Sequence, residues 1–216
     1  MMTGNPGHTQ FFGLLRNVHR SVVFDRRARV LAESLAAKLP PHASLLDIGC
    51  GDGTISSQIL AAMPTLTVQG LETAERPACR IPCRSFDGAH IPFPSDSFDF
   101  CMFVDVLHHT NCISDVVAEA ARVSRRFLLI KDHLAESAFD FRILQFMDWV
   151  GNRPHGVVLP YNYQSKAQWM AIFEASGLRV VSWECDLGLY PRPFNKVFGR
   201  GLHFLAVLEK KQSSRS

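Results

Sequence analysis

The most constraining feature of this sequence is an apolar run that ends in three glycines at alternate positions, within residues 44–54. Residues 44–49 have the length and composition of a buried strand, and residues 54–63 are compatible with a helix. Strand, glycine turn and helix in this order bring a nucleotide-like ligand against bare backbone at the carboxyl end of the strand. The candidate ligand-binding residues of this turn are Asp47, Gly49, Cys50, Gly51, Asp52 and Gly53.

The spacing and charge of the glycine turn favour one kind of nucleotide. The pattern is G-x-G-x-G, not the dinucleotide pattern G-x-G-x-x-G, and no Gly-Lys-Ser/Thr of a P-loop follows it. Asp47 and Asp52 flank the turn, where their carboxylates would repel a diphosphate. They suit a ligand that carries an amino group and a positive centre. S-adenosylmethionine (SAM) has both of these, with a sulfonium and no phosphate.

Two motifs carry a family resemblance. Residues 45–53, Leu-Leu-Asp-Ile-Gly-Cys-Gly-Asp-Gly, resemble the first motif of class I SAM-dependent methyltransferases. Residues 91–99, Ile-Pro-Phe-Pro-Ser-Asp-Ser-Phe-Asp, are similar to the "lPFpdnsFD" linker of the same family. The resemblance extends over about residues 45–210 and favours the UbiE-like small-molecule group. It implies SAM as the cofactor and methyl transfer by in-line displacement.

The order of elements predicts the fold class. Apolar strands alternate with amphipathic helices, which favours a Rossmann-like, doubly wound α/β fold with helices on both faces of the sheet. The resemblance implies a seven-stranded sheet, mostly parallel, with an antiparallel C-terminal strand. The predicted strands are 44–49, 66–72, 83–86, 100–104, 127–131, 178–184 and 202–208, and the main helices are 54–63, 113–124, 139–150 and 166–176.

The chain of 216 residues is most simply one catalytic domain with additions. We expect a flexible tail at 1–10, a covering helix at 11–40, a methyltransferase domain at 41–210 and a tail at 211–216. Residues 135–164 form a long aromatic insertion, and insertions of this length are commonly lids. Within it, helical spacing over 139–150 predicts an apolar side formed by Ile143, Leu144, Phe146 and Met147. An aromatic lid suggests an apolar or aromatic, lipid-like acceptor. The alternative is a small extra core.

Further residues at predicted strand ends are candidates for cofactor binding. Glu72 lies about 20 residues beyond the glycine turn, where a carboxylate accepts hydrogen bonds from ribose hydroxyls; the alternative is a solvated strand-end acid. The resemblance implies that Asp87, with Gly88 and Ala89, binds adenine, and the alternative there is an Asx turn. It also implies that Asp105 faces the transferring methyl group.

Three histidines follow the fourth and fifth predicted strands and are candidate bases: His108, His109 and His133. Neutral histidine is the side chain best suited to take a proton near neutral pH. Adjacent side chains in a turn point in different directions, so at most one of the pair is expected to reach an acceptor. The alternative is that these histidines orient and cap the site.

The net charge, the apolar windows and the start of the sequence limit which partners and which cellular compartment we expect. The net charge of +3 does not predict nucleic-acid binding. The arginine-rich segment 11–39 suits a covering helix better than a helix on an anionic membrane surface. No window reaches the ~20 apolar residues of a membrane span. The start of the chain lacks a secretory pattern, so we expect a cytoplasmic protein.

The six cysteines are scattered, apart from Cys79 and Cys83, which have the spacing of half a zinc site. We expect reduced thiols in core or strand positions, and no metal.

The predicted function is therefore methyl transfer from SAM to a small-molecule acceptor. Sequence leaves open O-, N- or C-methylation and the oligomeric state. It also leaves methylation of a protein or RNA, and SAM binding without catalysis, as alternatives.

Overall fold

A seven-stranded sheet of order β3-β2-β1-β4-β5-β7-β6 runs through the protein. The structure is a computed structural model that describes residues 24–74, 78–152, 160–192 and 194–211. All strand pairs are parallel except those of β7, which runs antiparallel to both of its neighbours. This arrangement confirms the predicted fold class. The strands are β1 Ser44–Ile48, β2 Thr67–Glu72, β3 Cys83–Ser85, β4 Phe98–Val104, β5 Ser124–His133, β6 Leu178–Glu184 and β7 His203–Lys210.

Helices cover both faces of the sheet, because side chains alternate between the faces along each strand. In β1, Leu46 and Ile48 pack into the cluster that contains Trp169, whereas Leu45 packs into the opposite cluster with Leu31 and Ile59. A short 3₁₀ helix, Leu107–His109, follows β4. The α-helices are α1 Arg26–Ala36, α2 Thr54–Ala62, α3 Ile113–Val123, α4 Ala138–Asn152, α5 Lys166–Ala175 and α6 Asn195–Phe198.

Most element boundaries agree with the sequence, and β5 is the informative exception. Prediction ended this strand at residue 131, but it continues to His133 because β7 pairs with it as far as His133↔His203. Asp132 and His133 therefore lie inside a hydrogen-bonded strand, whereas the sequence predicted them in the segment after it. Their side chains are fixed by the sheet.

The predicted covering helix and tails are described only in part. Residues 1–23 and 212–216 lie outside the described residues, so the tail 1–10 and the first half of the covering helix stay predictions. The described part, α1, buries Leu31 and Leu35 and ends before the Pro40-Pro41 pair. No helix among the described residues combines the length and the apolar character that crossing a membrane requires.

The aromatic insertion contains α4, so the predicted helix is confirmed. Leu144 packs with Tyr163 and Leu202 in a separate apolar cluster, which corresponds to the small extra core of the alternative interpretation. Phe146 was predicted on the packed side of this helix, and that was wrong, because 56% of it is exposed. The apolar side is instead formed by Ile143, Leu144 and Met147.

The glycine turn is fixed by backbone hydrogen bonds to the neighbouring strand. The amides of Gly49 and Cys50 both donate to the Leu71 carbonyl, at 2.8 and 3.0 Å. Gly49, Gly51 and Gly53 have φ of 76°, 58° and 74°, which favour glycine over other residues. A Cβ on Gly49 would lie 2.6 Å from both methyl groups of Val106, whereas one on Gly51 would meet nothing within 4 Å.

This difference predicts unequal costs for two similar substitutions. Gly51→Ala should destabilise the protein by about 1–2 kcal/mol, the cost of a left-handed alanine. Gly49→Ala should cost about 1–3 kcal/mol more, because its methyl group also overpacks against Val106. Urea unfolding of both variants measures the difference. In a Val106→Ala background the extra cost of Gly49→Ala should largely disappear; if it persists, contact with Val106 is not its origin.

Candidate active site

Glu72 lies at the carboxyl end of β2 and is joined to the glycine turn. Its Oε2 accepts a hydrogen bond from the Gly51 amide at 2.8 Å, and its Oε1 accepts one from the Thr73 amide at 2.8 Å. These bonds fix the orientation of the carboxylate. A carboxylate oxygen can accept more than one hydrogen bond, so both oxygens retain capacity for hydroxyl donors.

The two aspartates of the glycine turn have different environments. Asp47 is buried, with 3% of its surface exposed, and accepts a hydrogen bond from Ser56 Oγ at 2.6 Å. Burial raises the pKa of Asp47 to about 7. Asp52 is exposed and caps the start of α2 by accepting hydrogen bonds from the amide and hydroxyl of Thr54 at 3.0 and 2.8 Å.

Asp87 forms the Asx-type turn that sequence gave as an alternative to the adenine site. Its Oδ1 accepts from the amides of Ala89 and His90, at 2.8 and 2.7 Å. The backbone amide of Ala89 is therefore already engaged within the turn. Gly88 has φ of 84°. The adenine role of these residues stays a prediction.

Asp105 is held by cations from two other elements. Arg27 of α1 and Lys131 of β5 both form short ion pairs with its carboxylate. Burial alone would raise the pKa of Asp105, but these two cations outweigh it and hold that pKa well below its usual value. Burial lowers the pKa of Lys131 to about 8 despite the adjacent carboxylate. Asp105 therefore already forms ion pairs with two cations, and its predicted cofactor role stays a prediction.

His108 is an imidazolium held between two carboxylates. Its Nδ1 lies 2.6 Å from Asp132 Oδ1 in β5, and its Nε2 lies 3.3 Å from Asp148 Oδ2 in α4. Burial disfavours its charge, but the two carboxylates outweigh burial and raise the pKa of His108 to about 10. Tyr163 also donates a short hydrogen bond to Asp148. His108 therefore joins α4 to the sheet through its two carboxylate partners and, being protonated, lacks the free lone pair of a base.

His133 is buried beside this ion pair, with 4% of its surface exposed. Its Nδ1 lies 3.2 Å from His108 Nδ1 and 3.5 Å from Asp132 Oδ1. Burial and the neighbouring imidazolium lower the pKa of His133, so its ring is neutral. His203 of β7 is likewise buried and neutral, because burial and the nearby Lys131 lower its pKa.

His109 is the candidate histidine with most contact to solvent. Its ring lies against that of His108, with centroids 4.0 Å apart. Burial and the charge of His108 lower the pKa of His109 to about 4, so the ring is neutral at physiological pH. Its Nδ1 has no hydrogen-bond partner among the described residues. The adjacent histidines therefore differ in protonation state.

The structure brings together several charged residues that sequence did not single out. The buried network contains the cations Arg27, Lys131 and His108 and the anions Asp105, Asp132 and Asp148. Lys131 carried a signal, because a lysine inside an otherwise apolar strand requires a partner when buried. Arg27 and Asp148 carried none, because they lie far in sequence from Asp105 and His108, the residues with which they pair.

Comparison with known proteins supports one family. A family model described as a methyltransferase domain matches residues 17–183. A 27-O-demethylrifamycin SV methyltransferase of Amycolatopsis mediterranei is 30% identical over 221 residues, covering 87% of this chain and 77% of the relative. The chain is a class I SAM-dependent methyltransferase.

Solved structures agree with the fold of this methyltransferase. YcgJ of Bacillus subtilis has a TM-score of 0.61 at 17% identity, over 85% of this chain and 99% of that chain. A chain from the complex between the Haloferax volcanii Trm112 methyltransferase activator and a methyltransferase has a TM-score of 0.65 at 14% identity, over 93% and 95%. At these identities the likeness concerns the fold alone.

The described residues of the methyltransferase fit its family's cofactor. Gly51 presents a side without a Cβ toward open space, and its amide orients the Glu72 carboxylate. Carboxylates at this edge suit a cationic ligand with vicinal hydroxyls, as SAM is. The chemistry of these groups is therefore compatible with SAM at the carboxyl ends of β1 and β2.

The opposite states of the two adjacent histidines predict different effects on stability. His108→Gln should cost about 3–5 kcal/mol, because it leaves buried carboxylates without their cation. His109→Gln, the matched control, should cost less than about 1 kcal/mol. Urea unfolding near pH 7 measures both.

The pH dependence of the His108 contribution has a defined sign. Since the folded state raises its pKa from 6.5 to about 10, the stabilisation is fully present below pH 6.5 and is lost as pH rises toward 10. The stability gap between wild type and His108→Gln should therefore narrow with rising pH. A gap that stays constant would contradict a protonated His108.

Proposed function

We propose that this methyltransferase methylates a hydroxyl group of a small, largely apolar acceptor, and that His109 accepts the proton of that hydroxyl. The observation that carries the proposal is the neutral, partly exposed imidazole of His109 beside the charged His108. Of the three candidate histidines, His108 is protonated and His133 is 4% exposed. His109 is therefore the candidate histidine that is both neutral and partly exposed.

The acceptor class is supported by the surroundings of this imidazole. Tyr163 stacks near His108 at 5.6 Å, and Phe141 meets the Tyr163 ring edge-on at 5.3 Å. Aromatic rings with a few polar groups are typical of sites for small apolar ligands. The name of the Amycolatopsis relative, an O-demethylrifamycin methyltransferase, also describes a small molecule with an oxygen acceptor.

The chain's own residues would hold the cofactor through backbone and carboxylates. In the proposal, Glu72 accepts from the ribose hydroxyls, the backbone of the glycine turn lies against the methionine part, and Asp87 borders the adenine. When bound, SAM supplies a methyl group on a positively charged sulfur, which leaves as a neutral thioether. Much of the rate enhancement then comes from holding the acceptor in line.

His109 acts late in this reaction. An acceptor oxygen that gains a bond to carbon becomes positively charged, so its proton becomes strongly acidic. An imidazole with a pKa of about 4 is a sufficient base for such a proton. Asp132 and Asp148 keep His108 charged, and burial together with this charge keeps His109 in its neutral form.

A labelling experiment tests the substrate class. Labelled SAM is incubated with fractionated extract, and label is expected in the organic-soluble fraction. Label in protein or RNA instead would overturn the small-molecule proposal. Glu72→Gln should weaken SAM binding by about 10–100-fold in calorimetry, the loss of a charged hydrogen-bond acceptor, and should reduce labelling at low SAM concentration. Glu174→Gln, on the surface of α5, is the matched control and should bind SAM as wild type does.

Substitution of His109 tests the base. His109→Ala should leave the SAM dissociation constant unchanged and lower kcat by about 10²–10⁴-fold with an unactivated hydroxyl acceptor. In wild type, the rate should not fall through protonation of His109 until pH approaches 4. Unchanged kcat in His109→Ala would exclude this residue as the base without affecting the cofactor assignment.

A further inference from the structure

We propose that Cys50, Cys79 and Cys83 form a thiolate site for a soft divalent cation such as Zn²⁺, beside the glycine turn. The three Sγ atoms all lie within 4.8 Å of one another, and those of Cys50 and Cys83 are 3.5 Å apart. Zinc–sulfur bonds of about 2.3 Å in a tetrahedral site place sulfurs ~3.8 Å apart. Displacements of about 1 Å or less would therefore complete the site.

The fold provides the space for this cluster through two glycines. A Cβ on Gly70 would lie 2.6 Å from Cys50 Sγ, so only glycine at this position of β2 admits the thiol. A Cβ on Gly53 would lie 3.1 Å from Cys79 Sγ. The thiols of Cys50 and Cys79 therefore occupy volume that side chains at these two positions would otherwise fill.

Backbone hydrogen bonds hold the segment that carries Cys79 and Cys83 against the turn that carries Cys50. The Arg80 amide donates to the Asp52 carbonyl at 2.9 Å, and the Gly70 amide donates to the Pro82 carbonyl at 2.8 Å. Cys83 also pairs with Gly70 in the sheet register. The three thiols therefore converge from the glycine turn and from the segment that leads into β3, which these hydrogen bonds hold together.

The chemistry of the thiols fits exchange of protons for a metal ion. On binding, three S–H bonds lose their protons to solvent and three sulfur–metal bonds form, leaving a net charge of −1. A site with three protein ligands leaves the fourth tetrahedral position to water. All three cysteines are partly exposed, which gives a cation access.

A second cluster with metal-ligand chemistry is already satisfied. Asp105, His133 and His203 are also within 4.8 Å of one another. The Lys131 ammonium, however, bonds Asp105 and lies 3.2 Å from His203 Nδ1. A cation of the protein thus fills that site, whereas no described cation pairs with the three thiols.

This proposal departs from the expectation of isolated thiols without a metal. Cys79 and Cys83 supply the half-site spacing, and Cys50 of the glycine turn supplies the third ligand. Because Cys50 lies between Gly49 and Gly51, a bound cation would also fix the backbone of the turn. Metal binding itself is measured without SAM, so its outcome is independent of the proposed acceptor and base.

The test uses the full-length protein, reduced and stripped of metal with a chelator. Co²⁺ is titrated first, and thiolate ligation should give a sulfur-to-cobalt charge-transfer band in the near ultraviolet with one equivalent bound. Zn²⁺ affinity is then measured by competition with a chromophoric chelator. Cys79→Ser and Cys83→Ser should each weaken Zn²⁺ binding by at least about 100-fold, since loss of a direct ligand exceeds the 10–100-fold cost of losing a supporting contact.

Cys112→Ser, an exposed cysteine outside the cluster, is the matched control and should bind Zn²⁺ as wild type does. Circular dichroism confirms that each serine variant is folded. Zn²⁺ binding should also strengthen as pH rises, because protons are released. No charge-transfer band in wild type, or equal Zn²⁺ affinity in wild type, Cys79→Ser and Cys83→Ser, would overturn the proposal.

Discussion

The physical constraint on which the active site depends is the balance of charge inside a buried network. Three cations and three carboxylates are contributed by α1, β5, α4, the 3₁₀ helix after β4, and Asp105, which directly follows β4. A buried charge without a partner costs several kcal/mol. Moving any one of these elements away would leave such a charge unpaired, so the ion pairs hold the elements in position. The carboxyl ends of β4 and β5 are thereby joined to α1 through Arg27 and to α4 through Asp148.

The same network sets the chemistry of neighbouring side chains. His108 and His109 are adjacent in sequence and in space, yet the pKa of one is raised to about 10 and that of the other is lowered to about 4. The two carboxylates beside His108 account for its charge, and that charge then disfavours a second proton on His109. One residue becomes a structural cation, and the other keeps a lone pair for the proposed proton transfer.

At two positions in and beside the glycine turn, a glycine leaves room for the side chain of another residue. Gly49 needs a left-handed backbone and also leaves room for the methyl groups of Val106, which directly precedes the 3₁₀ helix after β4. Gly70 leaves room for the thiol of Cys50. In both cases the missing side chain accommodates another residue of the protein. The glycine turn is therefore packed against its own fold, and Gly51 is the glycine that faces open space.

The sequence by itself determined the fold class, the order of the strands and helices, and the place of the glycine turn. These features follow from local periodicity and from short motifs whose residues are close in sequence, such as the run from Leu45 to Gly53. The sequence also predicted the helix in the insertion, α4. It wrongly predicted Phe146 on the buried side of that helix, because helical spacing does not show which neighbouring segment will cover an apolar residue.

Only the tertiary structure decided which side chains meet. Asp148 and Arg27 reach the ends of β4 and β5 across long separations in sequence. Cys50 after β1 meets Cys83 of β3 across Gly70 of β2, the strand that lies between β1 and β3. Protonation states followed from those contacts, since burial and neighbouring charges shift a pKa and neither is written in a local pattern. The sequence named the histidines, and packing made one of them a cation and left another neutral.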